Sequence, residues 1–128
     1  MSYFIEKTVK MGFEEAIAAI TGTLKEQGFG IVSDIDFSGS INKGLGKEIA
    51  PYRLLGACNA GYAYEAVSAE PQIGVLLPCG VAVRQLDGNA VSISVIDPFA
   101  AMMAVKNDKL ESFATEVKGK LTVAIENL

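Results

Sequence analysis

Two apolar runs, "IGVLLPCGVAVRQL" and "AVSISVI", stand either side of the tripeptide Asp87-Gly88-Asn89. Asp-Gly between apolar runs signals a tight hairpin, because the turn needs a residue at positive φ and glycine takes that conformation without strain. Two antiparallel strands are therefore expected, one within Ile73–Leu86 and one over Ala90–Ile96. In the second, Val91, Ile93 and Val95 alternate with Ser92 and Ser94, so one face belongs to a core and the other is polar. Arg84 falls on the polar face of the first strand. Such a face suits solvent, hydrogen bonds across a dimer, or a held anion.

The remaining periodicities fill in the chain around this hairpin. "YFIEKTV" at 3–9 reads as a first strand. Phe13, Ala16, Ile17, Ile20 and Leu24 lie at the spacing of one helix face, and Gly28 stands just past its end as a terminator. "FGIVSDIDF" places Phe29, Ile31, Ile35 and Phe37 at odd positions, with Asp34 and Asp36 between them as solvating charges on the wet face of a half-buried strand. "SGSINKGLGKEIAP" is glycine-rich and reads chiefly as a connection, with at most a turn of helix around Ile41–Leu45. "YRLLGAC" is a short strand, after which Asn59 caps a helix from Ala60 that ends at Pro71. Asp97-Pro98 pairs a cap with a proline suited to the first helical position. The closing helix shows Leu110, Phe113, Ala114, Val117, Leu121, Ile125 and Leu128 on one face, with Asp108 as its expected cap. Hairpins and one-sided strands with helices over one face make an α+β fold.

Charge and length exclude several function classes. The 128 residues carry a net charge of −4, and the basic residues are scattered lysines plus Arg53 and Arg84. Nucleic-acid binding needs a basic stripe. The N-terminus breaks its apolar positions with Glu6, Lys7 and Lys10, unlike a signal peptide. No apolar run approaches the roughly 20 residues of a membrane helix. One domain over residues 1–128, soluble and cytoplasmic, is the expectation, and in that compartment cysteines stay reduced.

Both cysteines lie within "LGACNAGYAYEAVSAEPQIGVLLPC", residues 55–79, in a chain without histidine. Cys58 stands where a strand meets a helix N-terminus, a position that lowers a thiol pKa. Cys79 shares an apolar strand face with Val81 and Val83. Three readings stay open: buried inert side chains, a reactive thiol at Cys58 with or without Cys79 as its partner, and half of a metal site that two thiolates alone do not complete. Histidine-dependent cysteine hydrolases are excluded, since no base is present. "GSINKGLGK" lacks the order of a phosphate loop. Tyr62 and Tyr64, two apart on one helix, cannot share a face. Phe99, Met102 and Met103 suit a core, a pocket or a subunit contact.

The runs "YRLLGACN" and "IGVLLPCGVAV", followed by Asp97-Pro98 and nearby methionines, resemble the bacterial and archaeal domain of unknown function 302 family across essentially the whole chain. The resemblance implies a small α+β domain with a curved antiparallel sheet and two long helices on one face, similar in topology to the repeat of the TATA-binding protein, and it implies a homodimer. It implies no established activity. Its recurring elements fall on Cys58, Asn59, Pro78, Cys79, Asp97 and Pro98, and Ala60 departs from the proline expected after the Cys-Asn pair.

These observations lead to one functional expectation. The chain is a noncatalytic cytoplasmic module, dimeric, holding a small ligand or a partner near Cys58, Asn59, Pro78, Cys79, Asp97 and Met102, with no cofactor or metal and with neither nucleic acid nor membrane as partner. The alternative is a thiol redox sensor or enzyme using Cys58 with Cys79.

Overall fold

A computed structural model describes residues 2–128. Five strands form one antiparallel sheet: β1 (Phe4–Lys10), β2 (Gly30–Asp36), β3 (Tyr52–Cys58), β4 (Cys79–Gln85) and β5 (Ala90–Ile96), in the spatial order β1-β5-β4-β3-β2. The helices are α1 (Phe13–Glu26), α2 (Phe37–Leu45), α3 (Ala60–Ala69), α4 (Pro98–Met102) and α5 (Lys109–Glu126). The architecture is α+β, with the long helices α1 and α5 packed on each other and on one sheet face. None of the helices among the described residues is long and apolar enough to cross a membrane.

The expected hairpin is present. Val81 pairs with Val95 and Gln85 with Val91, and Gly88 turns the chain at φ +68°. Val81, Val83, Val91, Ile93 and Val95 are buried beneath Ile20 and Leu24 of α1 and Val117 and Leu121 of α5. Burying one such side chain fully stabilises the fold by roughly 1.5–3 kcal/mol, which is why the period-3.6 and period-2 stripes find each other.

Helix α1 ends as its glycine requires. Gly28 sits at φ +85°, Phe29 N–H donates to Leu24 O, and Gly28 N–H donates to Lys25 O, the paired bonds that close a helix through a left-handed residue. Glu14 and Glu15 in the first turn and Lys25 in the last complement the helix dipole.

Five expectations are corrected. The segment from Phe37 to Leu45 is a helix rather than a connection. Asp36 starts it by accepting from Gly39 N–H at 3.0 Å, and Gly46 ends it at φ +65°. Strand β2 is not half-buried with its odd residues inward. A bulge between Ile31 and Ser33 shifts the register, so Asp34 stands opposite Leu55, and Ile35, opposite Leu54, is 52% exposed at the sheet edge. Asp34 is therefore paired with Arg53, which also reaches Glu14 at 3.1 Å, and is more than a solvating charge. The apolar run from Ile73 begins inside a 3-10 turn, Pro71–Leu76, so the strand starts only at Cys79 after a cis Leu77-Pro78 bond. Asp108 makes no capping bond; Asn107 Oδ1 accepts from Lys109 N–H instead.

Candidate functional site

The residues expected to carry function fall into three places strung along α5. Cys58, Asn59, Pro78 and Cys79 meet where β3 ends and β4 begins, with Phe29, Tyr62, Phe113 and Val117 around them. Asn59 holds this corner together. Its Oδ1 accepts from Tyr62 N–H at 3.0 Å, capping α3, while its Nδ2 donates to Gly28 O at 2.9 Å. Pro78 packs on the other side, where Gly56 has no side chain to obstruct it: a Cβ there would overlap Ser33 Oγ and stand 2.5 Å from Pro78 Cγ.

This corner is filled. The void among these side chains is about 20 Å³, room for no more than about one water. The aromatic rings close it: Phe29 and Tyr62 stack at 6.2 Å and Tyr62 meets Phe113 edge-on at 5.7 Å. Both cysteines are free thiols. Cys79 lies beside Ala57 on the helix-covered face, and burial, with the neighbouring Cys58, pushes its thiol up to about 11. A thiol so placed is protonated at neutral pH and is no ready nucleophile. Tyr62 donates its phenolic proton to Glu116 at 2.7 Å, which pushes its own pKa up to about 12. Tyr64, two residues on, faces solvent.

Asp97 stands apart from that corner. It accepts from Phe99 N–H at 3.0 Å and Ala100 N–H at 3.3 Å, capping α4, and pairs with Lys118 of α5. Burial pushes the carboxyl up, but Lys118 and the two N–H groups outweigh it and hold Asp97 below the usual carboxylate range. Met102 lies further along, buried against α5 at the side of an open cleft of about 320 Å³ shared with Phe99, Met103 and Leu110. The six expected residues thus have structural duties in separate places and do not share one cavity.

A larger cleft, about 530 Å³, lies on the sheet face that the long helices leave open. The registers that align the strands also order its floor. Thr8, Ser92, Arg84 and Tyr52 form one row across the sheet, and Glu6, Ser94, Ala82 and Leu54 form the next. Beyond them, Phe4 pairs with Ile96 and Gly80 with Gly56. Tyr52 is braced edge-on by Phe37 at 5.1 Å, and Phe4 by Tyr3 at 5.0 Å. Ser92, Ser94 and Arg84 were marked in the sequence by alternation alone. Their companions Tyr52, Leu54, Gly80, Phe4 and Ile96 were missed because the strand order that gathers them was unknown, although every one carries an even number in the sequence.

Residues 5–128 match the family model described as "Domain of unknown function DUF302". No curated protein matches the chain. The structure is similar to that of an uncharacterized conserved DUF302 protein from Bacillus stearothermophilus, with a TM-score of 0.90 at 22% identity, over 99% of this chain and 98% of that one. At that identity the likeness bears on the fold.

Proposed function

Because the chain belongs to the DUF302 family, a domain of unknown function, its activity has to be read from its own surface, and we propose that it is a noncatalytic module that binds a small ligand on the open face of its sheet. The observation that carries this reading is the 530 Å³ cleft, whose floor combines apolar side chains with Arg84, Ser92 and Ser94. Its size falls within the roughly 300–1,000 Å³ of ordinary ligand sites, and an apolar floor with few polar groups is their usual lining. The cysteine corner, which sequence reasoning favoured, offers no comparable room.

Gly80 provides the test. A Cβ built there meets nothing within 4 Å, so a side chain can start into the cleft without a clash at its root. Gly80→Val should abolish capture of small apolar probes while leaving the unfolding midpoint unchanged, whereas Cys58→Ala with Cys79→Ala should leave capture intact. The opposite pattern would return the site to the cysteines.

The homodimer belongs to the same proposal. It is supported by the edge of β2 and the end of α2, where Val32 is 64% and Leu45 69% exposed, and Val32→Glu with Leu45→Glu should convert a dimer to a monomer in sedimentation. We place the module in the cytoplasm, where two unbridged cysteines are the ordinary state. The thiol alternative is not favoured, because Cys79 is buried and protonated.

A further inference from the structure

We infer that the ligand of the open sheet face is a small organic monocarboxylate with an apolar body, its carboxylate held by Arg84 and its body laid toward Gly80; this rests on the reading of that face as the binding surface. Arg84 is exposed in the cleft and its guanidinium makes no hydrogen bond or ion pair among the described residues, in contrast to that of Arg53, which is shared between Asp34 and Glu14. Its register partners are Tyr52 on one side and the buried Ser92 on the other, so a hydroxyl-bearing residue neighbours it on each adjoining strand. A guanidinium presents two parallel N–H groups that match the two oxygens of a carboxylate.

Polarity then falls along the strands. Two residues from Arg84 stand Ala82 and Leu54, with Ser94 and then Glu6 toward the β1 side of that row, and two further on stand Gly80, Ile96 and Phe4, at the apolar end of the same cleft. From Arg84 to Gly80 is four residues of strand, about 13 Å. A molecule with a charged head and an apolar body of that length matches the floor in both order and extent.

The charge count points to a monoanion. Among the described residues Arg84 is the one cation lining the cleft, and Glu6 lines it too, two strands across and two residues along, about 12 Å away at the backbone. A dianionic phosphate on this face would meet a single guanidinium, a nearby carboxylate and a chain of net charge −4. A single carboxylate neutralises Arg84 and leaves Glu6, which accepts from Thr8 Oγ1 at 2.8 Å, at the far wall.

The experiment is an amide-resolved NMR titration of the full chain with octanoate, octanol and octyltrimethylammonium, three probes that share a body and differ in head. Octanoate should shift the amides of Ala82, Arg84 and Ser92 and bind about tenfold or more tightly than octanol, as expected for a charge-assisted bond. Arg84→Gln should bring octanoate down to the level of octanol, and Glu6→Gln should tighten it. Equal binding of octanoate and octanol, or octanoate binding that survives Arg84→Gln, would overturn the carboxylate assignment while leaving the face as the site. Binding that survives Gly80→Val, or no shift on this face with any probe, would overturn the face reading itself. Protection of the face by self-association would do the same and make a second copy its occupant.

Discussion

Lys118 Nζ stands 2.9 Å from Asp97 Oδ2, so the longest helix is fastened to the residue that follows β5 and caps α4. The pair is one-sided: the Asp97 side chain is buried and that of Lys118 is half in solvent. Asp97→Ala removes both this partner and the cap on α4, and should lower stability at pH 7 by roughly 2 kcal/mol, the upper range for a lost cap. Asp97→Asn, which keeps an acceptor for the cap, should lose less. The carboxyl lies below its ordinary value when folded, so its contribution is present above the unfolded pKa of about 3.9 and disappears as pH falls through the folded value. Urea unfolding at pH 7 and pH 3 should therefore show the wild type and Asp97→Asn converging in acid.

Glycines 56 and 80 face each other across β3 and β4 yet should respond oppositely to the same change. Gly56→Ala forces a methyl against Ser33 and the ring of Pro78. Overpacking of that kind costs roughly 1–3 kcal/mol. Gly80→Ala meets open space and should be neutral or slightly stabilising. Paired denaturation curves for the two variants check this, and equal losses would mean that Pro78 does not occupy the space Gly56 leaves.

The thiols should separate by burial. Cys79, whose pKa is raised from 9.0 to about 11, should resist iodoacetamide at pH 8 in the folded protein and react only on unfolding, as followed by mass spectrometry of the modified peptides. The same shift carries a sign. A thiol pKa raised on folding stabilises the fold below pH 9.0, and that stabilisation is lost as pH climbs toward about 11. The stability difference between the wild type and Cys79→Ala should shrink over that interval.

The elements legible in the sequence were those whose local signal and tertiary environment agree. Tyr52–Cys58, the Asn59 cap, the Gly88 hairpin and the buried stripe from Leu110 to Ile125 all follow from periodicity and turn chemistry. Helix α2 was obscured by Gly39 and Gly44, poor helix formers, and was secured instead by the Asp36 cap. Strand β2 shows a clean alternation that a single bulged residue inverts, something no period can reveal. The cysteine corner drew attention because unusual residue types concentrate there, yet Asn59, Pro78 and Gly56 are needed simply to let the chain turn and pack closely. The open face was half legible: Ser92 and Ser94 alternate visibly, but the floor they belong to exists only once β1, β5, β4 and β3 lie side by side.

The strand order also sets a timetable. β1 occupies an edge of the sheet and has β5 as its only neighbour, with Phe4 opposite Ile96 and Lys7 Nζ donating to the carbonyl of Leu128 at 2.8 Å. During synthesis β1 is made before the other strands of this sheet and is the last of them that can be paired, because its template β5 follows about 80 residues later. The consecutive strands β2, β3, β4 and β5 can add one beside another as they appear, each closing a modest loop, whereas β1 must wait for contacts that span 80 to 92 residues. In the interval its edge is held open to solvent by Glu6, Lys7, Thr8 and Lys10, side chains that discourage pairing with a neighbouring nascent chain.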